Sequence, residues 1–102
     1  RKSSKSFGDW ASYKISKKNK KQLFIPEGFA HGFLTISDSA EVIYKTTNYW
    51  AKNFERSIIW DDKRISIKWP LEILKSKSPT LSKKDKNAQT FESAISNSEV
   101  FT

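Results

Sequence analysis

Between Trp10 and Trp69 the apolar residues come in short groups, most of them alternating with polar ones. That is the period of a half-buried strand and not of a helix. Trp10, Ser12 and Lys14 alternate with Ala11, Tyr13 and Ile15, and the lysine-rich run Lys17–Lys21 follows as a hairpin turn. Gln22–Ile25 and His31–Ile36 read as strands on either side of a tight turn. Pro26 ends the first, because proline has no N–H to give to a ladder, and Gly28 permits a positive φ in the turn. Ser37-Asp38-Ser39 is a turn cluster, and Glu41–Thr47 is the clearest strand, its β-branched residues suiting a pleated surface. Asn48–Arg56 reads as a loop, Ser57–Trp60 as a short strand, Asp61-Asp62-Lys63 as a turn, and Ile65–Trp69 as a strand closed by Pro70.

From Leu71 the pattern changes. Leu71–Leu74 suits one helical turn, and Lys75–Lys86 is polar and lysine-rich. Thr90–Ser96 suits either a short amphipathic helix or a frayed tail. Five or six short strands with turn signals between them predict an all-β, antiparallel sandwich or barrel over residues 1–86. Residues 87–102 form a short helical or irregular tail.

Composition narrows the chemistry. With 102 residues the chain suits one small domain. Apolar residues make up 36%, a low share that four Trp, three Tyr and seven Phe partly offset through their large surfaces. There is no cysteine, which excludes a disulfide framework and a thiolate metal site. A single histidine argues against a metal site built from several. No apolar run approaches a membrane span and no signal peptide is visible, so a soluble, cytoplasmic protein with no membrane partner is expected. The net charge is +8, and Arg1–Gln22 holds eight basic residues against Asp9 alone. The lysines sit where a turn is expected, so a solvated loop is the favoured reading over a polyanion surface. The chain begins with Arg1 and not Met, which leaves two readings open: a longer protein with a part removed, or a short relative.

The one histidine, His31, lies in Gln22–Phe33, QLFIPEGFAHGF. Pro26, Gly28 and His31 follow the cupin spacing P-x-G-x-x-H, in which a histidine at the start of a strand faces a barrel mouth. Alone, the pattern fits a structural histidine better.

Further phrases change that balance. SFGDW (Ser6–Trp10), NKKQLFIPEGFAHGF (Asn19–Phe33), EVIYKTTNYW (Glu41–Trp50), ERSIIWDD (Glu55–Asp62), ISIKWP (Ile65–Pro70) and LSKKD (Leu81–Asp85) occur in order. Together they resemble the C-terminal half of the dTDP-4-dehydrorhamnose 3,5-epimerase family, of the cupin superfamily. The resemblance implies a partial cupin-type jelly roll, usually a homodimer, with no metal or other cofactor. It implies a dTDP-4-keto-6-deoxy sugar as substrate, an isomerase reaction and a place in dTDP-L-rhamnose biosynthesis. Protons beside the 4-ketone are removed by a base and returned by an acid on the opposite face.

Carried over residue by residue, the resemblance makes Tyr44 the acid and Asp85 the carboxylate that pairs with the catalytic histidine. His31 contacts the sugar, Trp50 stands beside the nucleotide, and Lys84 and Glu55 join the substrate-binding set. The family's base histidine falls in the half that this chain does not resemble, so the chain alone is expected to be inactive. A non-catalytic sugar-nucleotide-binding cupin is the alternative. A nucleic-acid-binding module has only the +8 charge in its favour, and no nucleic-acid partner is expected.

Overall fold

Asp62 and Phe91 are linked across 29 residues. The computed structural model describes residues 1–102. Asp62 is buried, and its carboxylate is filled by backbone donors. Oδ1 accepts from the N–H groups of Arg64 (3.0 Å) and Ile65 (3.1 Å), closing the turn that follows it. Oδ2 accepts from the N–H of Phe91 (2.8 Å), the first residue of a helix 29 positions away. Around this link Phe91 and Ala94 are the buried apolar residues. The Phe91 ring meets Phe7 with centroids 5.1 Å apart, and the Arg64 guanidinium lies 5.4 Å above its centre.

The regular elements are short. A 3-10 turn covers Lys52–Phe54 and another Leu71–Ile73, the second where one helical turn is expected. Helix α1 is Lys83–Lys86, inside the polar stretch, and helix α2 is Phe91–Ser96. Each is started by a side chain. Ser82 Oγ accepts from the Asp85 N–H, and Thr90 Oγ1 accepts from the Ser93 N–H. A helix therefore forms in the tail, where the sequence leaves helix and frayed end both open.

The all-β expectation, and the cupin-type jelly roll with it, is overturned. The structure has no strand and no sheet; one isolated parallel bridge joins Ile58 to Gln89. The reason is the absence of neighbours. From Trp10 to Trp50 a single backbone–backbone hydrogen bond forms, from the Lys20 N–H to the Ser16 carbonyl, and it belongs to a turn. Alternation decides which side chains could share a face, but a strand needs another backbone beside it. Nor is either face covered: Ile43 is 80% exposed and its neighbour Tyr44 58%. The strand expected at Ile65–Trp69 fails for a local reason as well. Ser66 takes a left-handed φ of 53°, and its N–H bonds back to the Asp62 carbonyl at 2.8 Å.

The turns stand where the residues place them. Asn19 organises the lysine-rich one: its Oδ1 accepts from the Ser16 and Lys21 N–H groups, and its Nδ2 donates to the Lys14 carbonyl. Gly28 has φ of 90°, and a Cβ there would sit 3.2 Å from Arg1 Nε. The two ends of the chain meet, with the Lys2 N–H donating to the Phe101 carbonyl at 2.8 Å.

Candidate functional site

Two of the expected substrate-binding residues, Trp50 and Lys84, converge on the carboxylate of a third, Glu55. Glu55 follows the 3-10 turn, and its N–H bonds to the Lys52 carbonyl at 3.1 Å. Its Oε1 accepts from Trp50 Nε1 at 2.8 Å, five residues back. From α1, Lys84 brings Nζ to 3.6 Å from the same oxygen. The hydrogen bond from Trp50 holds the Glu55 carboxyl below its ordinary 4.5; partial desolvation opposes this, and the charges of Lys84 and Lys52 reinforce it. Glu55 is thus an anion through the neutral range. Beside it lies an open hollow of about 550 Å³, walled by Asn48, Tyr49, Trp50, Ala51, Phe54 and Glu55. A flat indole and a carboxylate line it, and the Lys84 ammonium group stands 3.6 Å from that carboxylate. They can offer a stacking face, a hydrogen-bond acceptor and a positive charge to one ligand.

A second pair stands apart. The rings of His31 and Tyr44 are 6.3 Å apart between centroids and tilted by 44°. Both residues are exposed, and no hydrogen bond ties them to the Trp50–Glu55–Lys84 group. With no barrel there is no mouth for His31 to face. Asp85 neighbours Lys84 on α1, but its Oδ2 accepts the Ser82 hydroxyl at 2.7 Å. Its carboxylate therefore serves the helix start in this structure. No group of three or more His, Cys, Asp or Glu side chains is arranged to hold a metal ion. No helix is long and apolar enough to cross a membrane.

Sequence reasoning passed over Arg56 and Asp62. Asp62 had a signal, since an aspartate opening a turn often bonds the N–H two residues on. Its second partner, the Phe91 N–H, had none, being 29 residues distant.

Comparison with known proteins places these residues in context. A family model described as dTDP-4-dehydrorhamnose 3,5-epimerase matches residues 1–93. A protein of that name from Shigella flexneri is 53% identical over 91 residues, which are 89% of this chain and 48% of that relative. Another from Salmonella typhimurium is 48% identical over 95 residues, 93% of this chain and 50% of the relative. One from Pseudomonas aeruginosa is 45% identical over 94 residues, 92% of this chain and 50% of the relative. The chain spans about half the length of the curated relatives it matches. No solved structure matches it.

Proposed function

Because the chain belongs to the dTDP-4-dehydrorhamnose 3,5-epimerase family, we propose that it supplies the acid and the nucleotide side of a site that epimerises a dTDP-linked 4-keto-6-deoxy sugar. The observation that carries the reading is the meeting of Trp50, Glu55 and Lys84, which come from two separate stretches of the matched region. The indole stacks on the base, and Lys84 offsets the diphosphate charge.

The 4-ketone makes the protons on its neighbouring carbons acidic. A base takes one, and the C–H electron pair moves into an enolate. Tyr44 then returns a proton to that carbon from the opposite face, and its phenolate recovers one from solvent. A positioned phenol hydroxyl is a competent donor to carbon. The family resemblance sets the base histidine outside the residues matched here and gives Asp85 to it as partner. Asp85 Oδ2 is taken by Ser82, which leaves Oδ1 for that histidine. His31, 6.3 Å from Tyr44 between ring centres, contacts the sugar. In this reading the protein acts in the cytoplasm, as a homodimer, in dTDP-L-rhamnose formation.

A chimera tests the assignment: residues 1–93 replace the matched half of the Shigella flexneri relative. In heavy water with dTDP-4-keto-6-deoxyglucose it should take up deuterium beside the ketone and invert the carbon. Tyr44→Phe should lose inversion by about 100-fold or more, the usual contribution of a positioned acid. Deuterium exchange with retention should survive, because the base is intact. Equal inversion in the two chimeras would remove Tyr44 from the chemistry. A chimera that binds the nucleotide sugar without exchange or inversion would make the site a non-catalytic binding one.

A further inference from the structure

The 3-10 turn at Lys52–Phe54 ends, like any helical segment, in carbonyls without an intrahelical partner. One side chain takes one of them and the carbonyl of the residue that follows the turn. Arg56 Nη1 donates to the Asn53 carbonyl at 3.0 Å and to the Glu55 carbonyl at 2.8 Å. The same guanidinium turns Nε to Glu99 Oε1 at 2.7 Å. The other Glu99 oxygen accepts from Gln89 Nε2. Gln89 is itself fixed, since its carbonyl receives the Ile59 N–H at 2.8 Å beside the Ile58–Gln89 bridge. Glu99 reaches this place through the stop of α2: Ser98 adopts φ of 56°, and the Glu99 N–H bonds the Ala94 carbonyl at 2.8 Å.

The Arg56 and Glu99 side chains are 49% and 27% exposed, so their charges attract only weakly through solvent. Geometry is the larger effect. A guanidinium fork held at one end and bonded to two carbonyls at the other fixes the backbone from which Glu55 projects. Glu99 also lies beyond residues 1–93, so the family match does not cover it.

We infer that Arg56, anchored by Glu99, is a positioning residue that presents Glu55 to Trp50, Lys84 and the bound nucleotide. The part concerning nucleotide rests on the proposed reading of that cluster; the part concerning Glu55 and Trp50 does not. The test uses the 102-residue chain, labelled with nitrogen-15, at low salt where its +8 charge opposes association, with dTDP as the probe and every variant compared with the wild type at one concentration. Two indole N–H signals serve as readouts. Trp50 Nε1 reports the bond to Glu55, and Trp69 Nε1, which donates to the Trp60 carbonyl at 2.7 Å, reports the fold away from the site.

Glu99→Ala should shift and broaden the Trp50 indole signal, leave that of Trp69 in place, and weaken dTDP binding about fivefold, the scale of one net hydrogen bond. Arg56→Lys keeps the charge but not the fork, and should do the same. Lys75→Ala, which removes the separate pair with Asp38, should change neither readout. Should Glu99→Ala also disturb Trp69, Arg56→Lys decides the matter. An unmoved Trp50 signal in a folded Arg56→Lys chain would overturn the positioning role. If the wild type does not bind dTDP, the nucleotide reading fails, and the Trp50 signal still judges Arg56.

Discussion

At the scale of single residues, Asp62 carries the most consequence. Burial pushes its carboxyl upward, but bonds from the N–H groups of Phe91, Ile65 and Arg64, with the Arg64 charge, outweigh this. The net effect holds it below its ordinary 3.8. A carboxyl depressed on folding stabilises the native state above its unfolded value. That stabilisation is lost as the pH falls through the lower folded value. Acid should therefore loosen the Asp62–Phe91 link below the usual carboxylate range. Asp62→Asn can still accept from Arg64 and Ile65, but it turns an amide NH₂ toward the Phe91 N–H, donor against donor. The variant should lose about 1–3 kcal/mol. Its acid limb should flatten when unfolding is followed by tryptophan fluorescence at stepped pH. An acid limb identical to the wild type would show that another group sets it. The turn at Asp62 is visible in the sequence; the second bond is not, because nothing local ties residue 62 to residue 91.

Elements behave according to how near their partners lie. Helix α2 has six residues, too few to persist on propensity alone. Its first turn is held by Thr90 Oγ1 on the Ser93 N–H at 3.1 Å and by Asp62 on the Phe91 N–H. Thr90→Ala should cost about 1 kcal/mol, read as a lower urea midpoint with an unchanged slope. A midpoint equal to the wild type would leave Asp62 as the sole effective cap. Such caps are legible because donor and acceptor are three residues apart. The strands expected at Trp10–Ile15, Gln22–Ile25, His31–Ile36 and Glu41–Thr47 are the opposite case. Their alternation and β-branched residues are present, yet no second backbone runs beside them. Propensity for a pleated surface is largely a preference for neighbours and cannot supply them.

The whole molecule is loosely closed. Its accessible surface is 9640 Å², against about 5,900 Å² for a folded monomer of this mass. Its radius of gyration is 14.7 Å, where about 13 Å is usual for this length. Much of the excess is apolar. Tyr13, Ile15, Phe24, Phe29, Phe33 and Ile43 are all at least half exposed. Exposed apolar surface on this scale, beside unpaired backbone, favours association, and the +8 charge opposes it by repulsion. The chain should self-associate at micromolar concentration, more so as salt screens the charge, with sedimentation velocity showing species larger than 11.8 kDa. A single monomeric boundary at high salt would contradict this.

What the sequence determined by itself is local. Pro26 and Gly28 make a turn, Asn19 closes another, and Thr90 starts a helix, because each bond is completed within a few residues at little loop-closure cost. The order of its phrases also determined the family, since matching needs only identity and spacing along the chain. Only the tertiary structure decided that alternating segments stay unpaired, that His31 meets Tyr44 but not Asp85, and that Lys84 from α1 reaches the Glu55 that Trp50 holds. These depend on distant parts of the chain arriving together. The free energy of that meeting is shared among many weak contacts, and no single stretch of residues carries it.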